Sequence, residues 1–418
     1  MLLSSAWAGG AGAPAQTGTV RWVPCPAEVR ATRCGYVRVP MNHARPGGRS
    51  LEIFVALQRA LSSAARQPDP VFYLAGGPGG RGTPAVWSLA KAFRNRDVLS
   101  MDPRGVGPSR PELTCYGANS PRALAVCAQG WRAQGLNPED FGSAQAALDA
   151  DMVRRALGYG PVNLYGVSYG SRLAQEVLRR APGAVRSVVM AGVLPASLPD
   201  TAPPAMPVAL QRVLAACEAD ADCWKAHPDL PARYERLLAQ ADAVALLRMA
   251  QTLDQYLRHD LAAGQIPAVI EAFDGRGTAG AVRFPAPADG EAGFNSAIQI
   301  LVSCLGRGPG GPDDVHRAQC EAMRLRPAPQ EHEAVRSNVP ALLIGGEFDP
   351  ATLPDWMPLV ARSLPHSLSV VLRGWGHGAG WSPCGLWLAQ QLIDRPQAAL
   401  DTSCAPLGRL VFAPLPVR

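Results

Sequence analysis

The sequence predicts an α/β fold: a mainly parallel sheet flanked by helices and interrupted by a helical insertion. Three observations predict it. Short apolar runs alternate with stretches of helical period from residue 71 to residue 193, and the pattern returns at residue 339. A serine flanked by glycines, Gly166-Val167-Ser168-Tyr169-Gly170, stands where one apolar run gives way to a helix. Between the two α/β stretches, residues 209–334 are rich in Ala, Leu, Arg and Gln and read mostly helical. The 418 residues allow two to three domains at about 100–200 residues each. An apolar content of 47% against 18% charged residues excludes a disordered or collagen-like chain.

Residues 1–19 read as a signal-like or disordered N-terminus. Met1 to Gln16 are small, uncharged and mildly apolar, and Ala11-Gly12-Ala13 and Ala13-Pro14-Ala15 have the form of signal cleavage sites. Residues 20–197 form the first part of the core. Tyr36–Pro40 and Leu51–Leu57 alternate apolar and polar, two strands joined at Asn42–Gly48. Val71–Leu74 is a buried strand closed by the loop Ala75-Gly76-Gly77-Pro78-Gly79-Gly80. Asp97–Asp102 is a strand stopped by Pro103, Ala144–Leu157 has helical spacing, Val162–Tyr165 is a strand and Arg172–Arg180 a helix. Val185–Val193 is the sixth strand. Five prolines between residues 195 and 208 mark a linker, and residues 198–335 form a mainly helical cap interrupted by loops at Gly264–Gly293. Residues 336–418 complete the core with strands at Val339–Gly345 and Ser367–Leu372 and a helix at Gly385–Asp394.

Charge and cysteine usage narrow the setting. Net charge is +6, spread thinly, with no basic run interleaved with aromatics, so nucleic acid is not an expected partner. No stretch of 18 strongly apolar residues is present, so stable membrane insertion is not expected. The ten cysteines fall as local pairs: Cys25 with Cys34, Cys115 with Cys127, Cys217 with Cys223, Cys304 with Cys320, Cys384 with Cys404. Such pairs predict disulfides and a secreted or periplasmic protein. The competing reading, a zinc site at Cys217, Cys223 and His227, lacks any Cys-x-x-Cys or second Cys/His cluster. No cofactor or metal is expected.

The chemistry centres on Ser168. A G-x-S-x-G sequence between a strand and a helix holds its serine on a sharp turn with the hydroxyl exposed. A serine nucleophile needs a base, and the base an orienting acid. Of seven histidines, only His377 sits late in the chain, after a strand, in the glycine-rich turn Gly374–Gly378. His43 precedes the serine; His227, His259, His316 and His332 lie in the insertion; His366 reads as a surface residue. Asp349, in the loop after the strand ending at Ile344, is the acid, with Glu347 and Asp355 as fallbacks. The oxyanion hole is expected from the N–H of Tyr169 and of Gly77, with Gly76 as second choice.

Together these residues resemble the tripeptidyl and prolyl aminopeptidase branch of the α/β-hydrolase superfamily, from about Trp22 to Cys404. Ala75–Gly80 is similar to its H-G-G-P-G loop, Asp102–Ser109 to its D-x-R-G-x-G-x-S, and Asn163–Leu173 to its elbow. Gly346–Thr352 and Gly374–Gly378 resemble the acid and histidine loops, and Cys384 with Cys404 the cysteine pair of the C-terminal region. The resemblance implies an α/β-hydrolase fold whose cap is inserted after the sixth core strand, a Ser168–Asp349–His377 triad, and release of short peptides from free N-termini. Asp102 and Arg104 are read as loop anchors. Three departures stand out. Ala75 replaces the loop histidine, Ala191 an aspartate after the sixth strand, and Leu305 an acid that follows the cap cysteine. Losing that acid would leave a substrate ammonium unpaired unless Glu218, Glu271, Asp274 or Glu291 replaced it. The alternative is therefore a carboxylesterase or amidase acting on small hydrophobic acyl groups through the same triad.

Overall fold

In the computed structural model, residues 18–198, 204–258, 263–274, 294–307, 314–326 and 332–414 are described. The signal-like residues 1–17, His259 and Glu291 lie outside them. The strands among the described residues are β1 (Val20–Val23), β2 (Arg33–Pro40), β3 (Ser50–Gln58), β4 (Val71–Leu74), β5 (Val98–Met101), β6 (Val162–Val167), β7 (Val185–Ala191), β8 (Ala341–Gly346) and β9 (Ser367–Leu372). They form one sheet in the order β1-β2-β3-β5-β4-β6-β7-β8-β9. The first three strands and the β3–β5 pair are antiparallel; every pair from β5 to β9 is parallel. The edge strand β1 adds a seventh strand before the insertion. Four residues are too few to show a period of two.

Helices α1 (Val86–Ala92), α2 (Pro121–Ala133), α3 (Ser143–Ala156) and α4 (Tyr169–Arg180) separate the early strands. The insertion carries α5 (Ala205–Ala219), α6 (Ala221–Ala226), α7 (Leu230–Gln240), α8 (Ala243–Arg258), α9 (Ile266–Phe273), α10 (Ser296–Arg307) and α11 (Asp314–Met323); α12 (Met357–Ala361) and α13 (Pro383–Asp394) follow. Helices cover both faces of the sheet. Phe72, Leu74 and Leu164 face a core shared with α2, α3 and α4; Val71, Tyr73 and Tyr165 face one shared with α1 and α13. All six residues of β6 are buried, so its sequence shows no alternation of apolar and polar residues; the amide of Asn163, its one strongly polar side chain, is bonded to Asp69 and Ser187.

Two sequence expectations need correction. Gly264–Gly293 is not all loop: Ile266, Val269 and Ile270 lie one helical turn apart, are fully buried, and make α9 with Pro267 in its first turn. The strand expected to reach Val193 ends at Ala191, because Gly192 turns with φ +57°. The helices of the insertion pack in two groups. α5, α8 and α9 share a cluster built on Leu210, Val213, Leu253 and Ile266, which Phe348 enters from the loop after β8. Ile298, Leu301 and Leu305 of α10 and Met323 of α11 instead join the core beneath the sheet.

All five cysteine pairs close as read from the sequence, with Cα–Cα distances of 5.0–5.8 Å. The cysteines of the zinc alternative are thereby bonded to each other. No helix among the described residues is long and apolar enough to cross a membrane.

Candidate active site

Parallel strands all end on the same side, so the loops after β4, β6, β7, β8 and β9 meet at one edge of the sheet. Gly76 and Gly77 follow β4, Ser168 follows β6, Asp349 follows β8 and His377 follows β9.

Ser168 has φ +57° and ψ −124°, a region that costs a non-glycine residue about 1–3 kcal/mol. The surroundings enforce it. A Cβ on Gly170 would stand 2.0 Å from the Leu74 carbonyl oxygen, and one on Gly166 2.3 Å from that of Gly170. Only glycines let strand and helix approach this closely. The Ser168 N–H donates to the Ala191 carbonyl at 2.8 Å, and its own carbonyl accepts the Ser171 hydroxyl at 2.6 Å. The serine is half-buried at the N-terminus of α4.

Asp349 is fully buried. His377 Nδ1 lies 2.9 Å from both of its carboxylate oxygens. Oδ1 also accepts the backbone N–H groups of Ala351 and Thr352, each at 2.8 Å, and Oδ2 accepts the Thr352 hydroxyl at 2.7 Å. Burial pushes the carboxyl up, but His377 and the Thr352 hydrogen bonds outweigh it and hold the group below its ordinary value. Gly192 separates the two halves of the site. It follows the carbonyl that holds the Ser168 N–H, and a Cβ there would stand 3.1 Å from His377 Cε1. No hydrogen bond joins Ser168 Oγ to the imidazole among the described residues; such contacts are often loose without substrate.

On the other side of Ser168, a Cβ on Gly76 would stand 3.1 Å from the serine Cβ and 3.6 Å from Oγ. Neither the Gly76 nor the Gly77 N–H has a hydrogen-bond acceptor among the described residues. The Tyr169 side chain is buried, its hydroxyl 2.9 Å from Ser143 Oγ, which fixes the backbone just after the serine. The glycine loop is also held from the insertion. Gly79 accepts the Asn295 N–H at 3.0 Å, and a Cβ on Gly77 would meet the Phe294 ring at 3.3 Å.

The D-x-R-G-x-G-x-S segment holds loops in place. Asp102 accepts from Arg81 Nε, from the N–H groups of Gly82 and Thr83, and from the Thr83 hydroxyl. Arg104, 1% exposed, grips Asp149 with two nitrogens at 2.7 and 2.6 Å. His43 Nε2 lies 2.8 Å from the same Asp149. Of the fallback acids, Glu347 accepts the Gly374 N–H and Asp355 pairs with Arg212; neither contacts His377. His366 is exposed.

The sequence reading passed over Thr352, Asn295 and Phe294. Asn295 carries a legible signal: an Asn just before Ser296-Ala297-Ile298 is a helix cap, and its Oδ1 accepts the Ile298 N–H at 3.1 Å. Its Nδ2 donates to Gly105 and Leu113 carbonyls at 3.0 and 2.9 Å, contacts no local pattern announces. The cap acids are placed as follows. Leu305 is buried in the apolar core, Glu271 binds Arg233 Nη1 at 2.6 Å and lies 2.9 Å from His227 Nδ1, and Glu218 is exposed. Asp274 is engaged in an interaction of its own.

Residues 69–382 match the α/β hydrolase fold family. Among curated relatives, the tripeptidyl aminopeptidase of Streptomyces lividans is 30% identical over 218 residues, 44% of this chain and 40% of its own length. The serine protease Hip1 of Mycobacterium bovis is 26% identical, over 42% of this chain and 39% of its length. The carboxylesterase B of Mycobacterium tuberculosis is 30% identical, over 44% of this chain and 41% of its length. The chain thus spans well under half the length of the curated relatives it matches. The family match covers most of the chain, including the elbow and both loops that carry Asp349 and His377; this protein belongs to the α/β-hydrolase fold family.

Proposed function

We propose that this hydrolase is an exported serine aminopeptidase that releases short peptides, of tripeptide or prolyl type, from free N-termini through an acyl-enzyme on Ser168. The observation that carries the reading is the His377 imidazole held through Nδ1 by buried Asp349, beside a strained serine at the same edge of the sheet. Engaging Nδ1 fixes the tautomer and leaves Nε2 for the serine proton. Ser168 Oγ attacks the acyl carbon as His377 takes that proton. The oxyanion is met by the Tyr169 and Gly77 N–H groups, and collapse expels the amine, which receives the proton from His377. Water, deprotonated by His377, then attacks the acyl-enzyme, releasing the acid and restoring the serine. The relatives named tripeptidyl aminopeptidase and serine protease support a peptide substrate, and five disulfides support export.

One observation favours a second reading, an esterase or amidase acting on small hydrophobic acyl groups. Glu271 is already neutralised by Arg233, and the α10 position where the resemblance to aminopeptidases implies an acid is buried Leu305. An ammonium group placed there would lose its hydration without gaining a charge partner. The two readings separate on an unblocked tripeptide chromogenic amide and its N-acetylated twin, with Ser168→Ala as control. The aminopeptidase reading expects kcat/KM to vanish on acetylation. Inert amides with a cleaved short-chain aryl ester would establish the esterase. Ser168→Ala should lower kcat by about 10⁴ or more; near-normal turnover in that variant would end both.

A further inference from the structure

The geometry points to Thr352 as a positioning residue whose hydroxyl holds the second oxygen of the Asp349 carboxylate and so sets where the His377 proton sits. The inference rests on the Ser168–His377–Asp349 reading. The two carboxylate oxygens are held by different means. Oδ1 takes the Ala351 and Thr352 backbone N–H groups, which any residue at position 352 except proline would supply. Oδ2 receives, besides the imidazole, the Thr352 hydroxyl at 2.7 Å. The loop is therefore closed without the hydroxyl, and the hydroxyl restrains the one oxygen the backbone leaves to the histidine.

A carboxylate can only accept, so Thr352 donates to it, and the hydroxyl lone pairs are left on the side of the imidazole. Thr352 Oγ1 is 3.4 Å from His377 Nδ1, against 2.9 Å for each carboxylate oxygen. The imidazole N–H thus faces three oxygens, and its equal distance to the carboxylate pair depends on both being restrained. The site has been cleared for this contact: a Cβ on Gly192 would come 3.0 Å from Thr352 Oγ1. Thr352 is 3% exposed, so no water replaces its hydroxyl cheaply. The hydrogen bond also helps keep the buried acid ionised. Other charged or titratable groups around the histidine loop are occupied. Glu347 takes the Gly374 N–H, Arg212 of α5 binds Asp355 and the Glu347 carbonyl, and Tyr165 of β6 donates to the Gly380 carbonyl.

The test reads activation of the serine without assuming a substrate: the rate constant for labelling by a fluorophosphonate, followed against pH. An oxygen that has lost a donor attracts the imidazolium proton more strongly. Thr352→Val should therefore label about tenfold more slowly at its plateau, with the acid limb about half a pH unit higher. Thr352→Ser, which keeps the hydroxyl, should restore both. A purely structural role would lower Tm and leave the acid limb in place. Wild-type rate and limb in Thr352→Val, or no rescue by Thr352→Ser, overturns the proposal. If Thr352→Val does not fold, Thr352→Ala is compared with Thr352→Ser, and equal behaviour overturns it. Ser168→Ala should not label. Persistent labelling of that variant, or none of the wild type, overturns the triad reading and the proposal with it, and is distinguished by that control.

Discussion

At Asp349 burial and partnership oppose each other, and partnership prevails, so the carboxyl titrates below its ordinary value. The sign of the stability effect follows. A carboxyl depressed by folding contributes stability that is fully present above its unfolded pKa and is lost as the pH falls through the folded one. Stability should therefore decline on acidification below about pH 4. Asp349→Asn has no proton to take up there and should lose that part of the slope. Tm of both proteins between neutral and acid pH checks this; parallel curves would contradict an ionised, depressed Asp349. Asp349, His377 and Ser168 were legible in the sequence because each needs a side chain of fixed type in a glycine-rich loop after a strand. Thr352 was not, because a threonine hydroxyl has no distinguishing local pattern until its acceptor is placed.

At the scale of elements, the elbow depends on how closely α4 approaches β4. A Cβ at Gly170 meets backbone at 2.0 Å, which cannot rotate away as a side chain can. Gly170→Ala should push α4 off the strand and carry Ser168 with it, a loss of about 100-fold or more in kcat/KM. Gly130 in α2 has nothing within 4 Å of its would-be Cβ. Gly130→Ala should instead raise Tm, the usual gain being about 0.4–1 kcal/mol. Opposite outcomes at two helical glycines would separate close approach from helix propensity. α2 itself has a readable pattern, with Leu124, Ala128 and Trp131 buried at helical spacing behind Pro121, although the alternation read from the sequence did not include it.

Over the whole molecule, separate segments are tied around the site. Asn295 pins the start of α10 to the glycine loop, Arg172 of α4 donates to the Gly306 carbonyl near its end, and Cys304–Cys320 joins it to α11. The segment after α13 reaches the cluster of α5, α8 and α9, where Leu410 and Phe412 pack and the Ala413 N–H donates to the Gly264 carbonyl. Every disulfide closes a short loop, of 6 to 20 residues in sequence separation. Each such crosslink is worth about 2–4 kcal/mol in the chain-entropy account. Native protein should show no titratable thiols, and reduction should lower Tm markedly. Several free thiols before reduction would contradict both the pairing and the export reading.

The alternation of strands and helices, the elbow, the order of serine, acid and histidine, and the cysteine pairs could all be read along the chain. Each rests on local chemistry: the period of a strand or helix, a backbone turn that admits glycine, or two cysteines a few residues apart. Folding settled what depends on distant segments meeting. It placed Asn295 against Gly79, gave α10 to the core and α5, α8 and α9 to a cluster of their own, and paired Glu271 with Arg233. It also aimed the Thr352 hydroxyl at the oxygen that the backbone leaves unheld. Such contacts are chosen by complementary shape and charge across the fold, and no periodicity in the sequence records them.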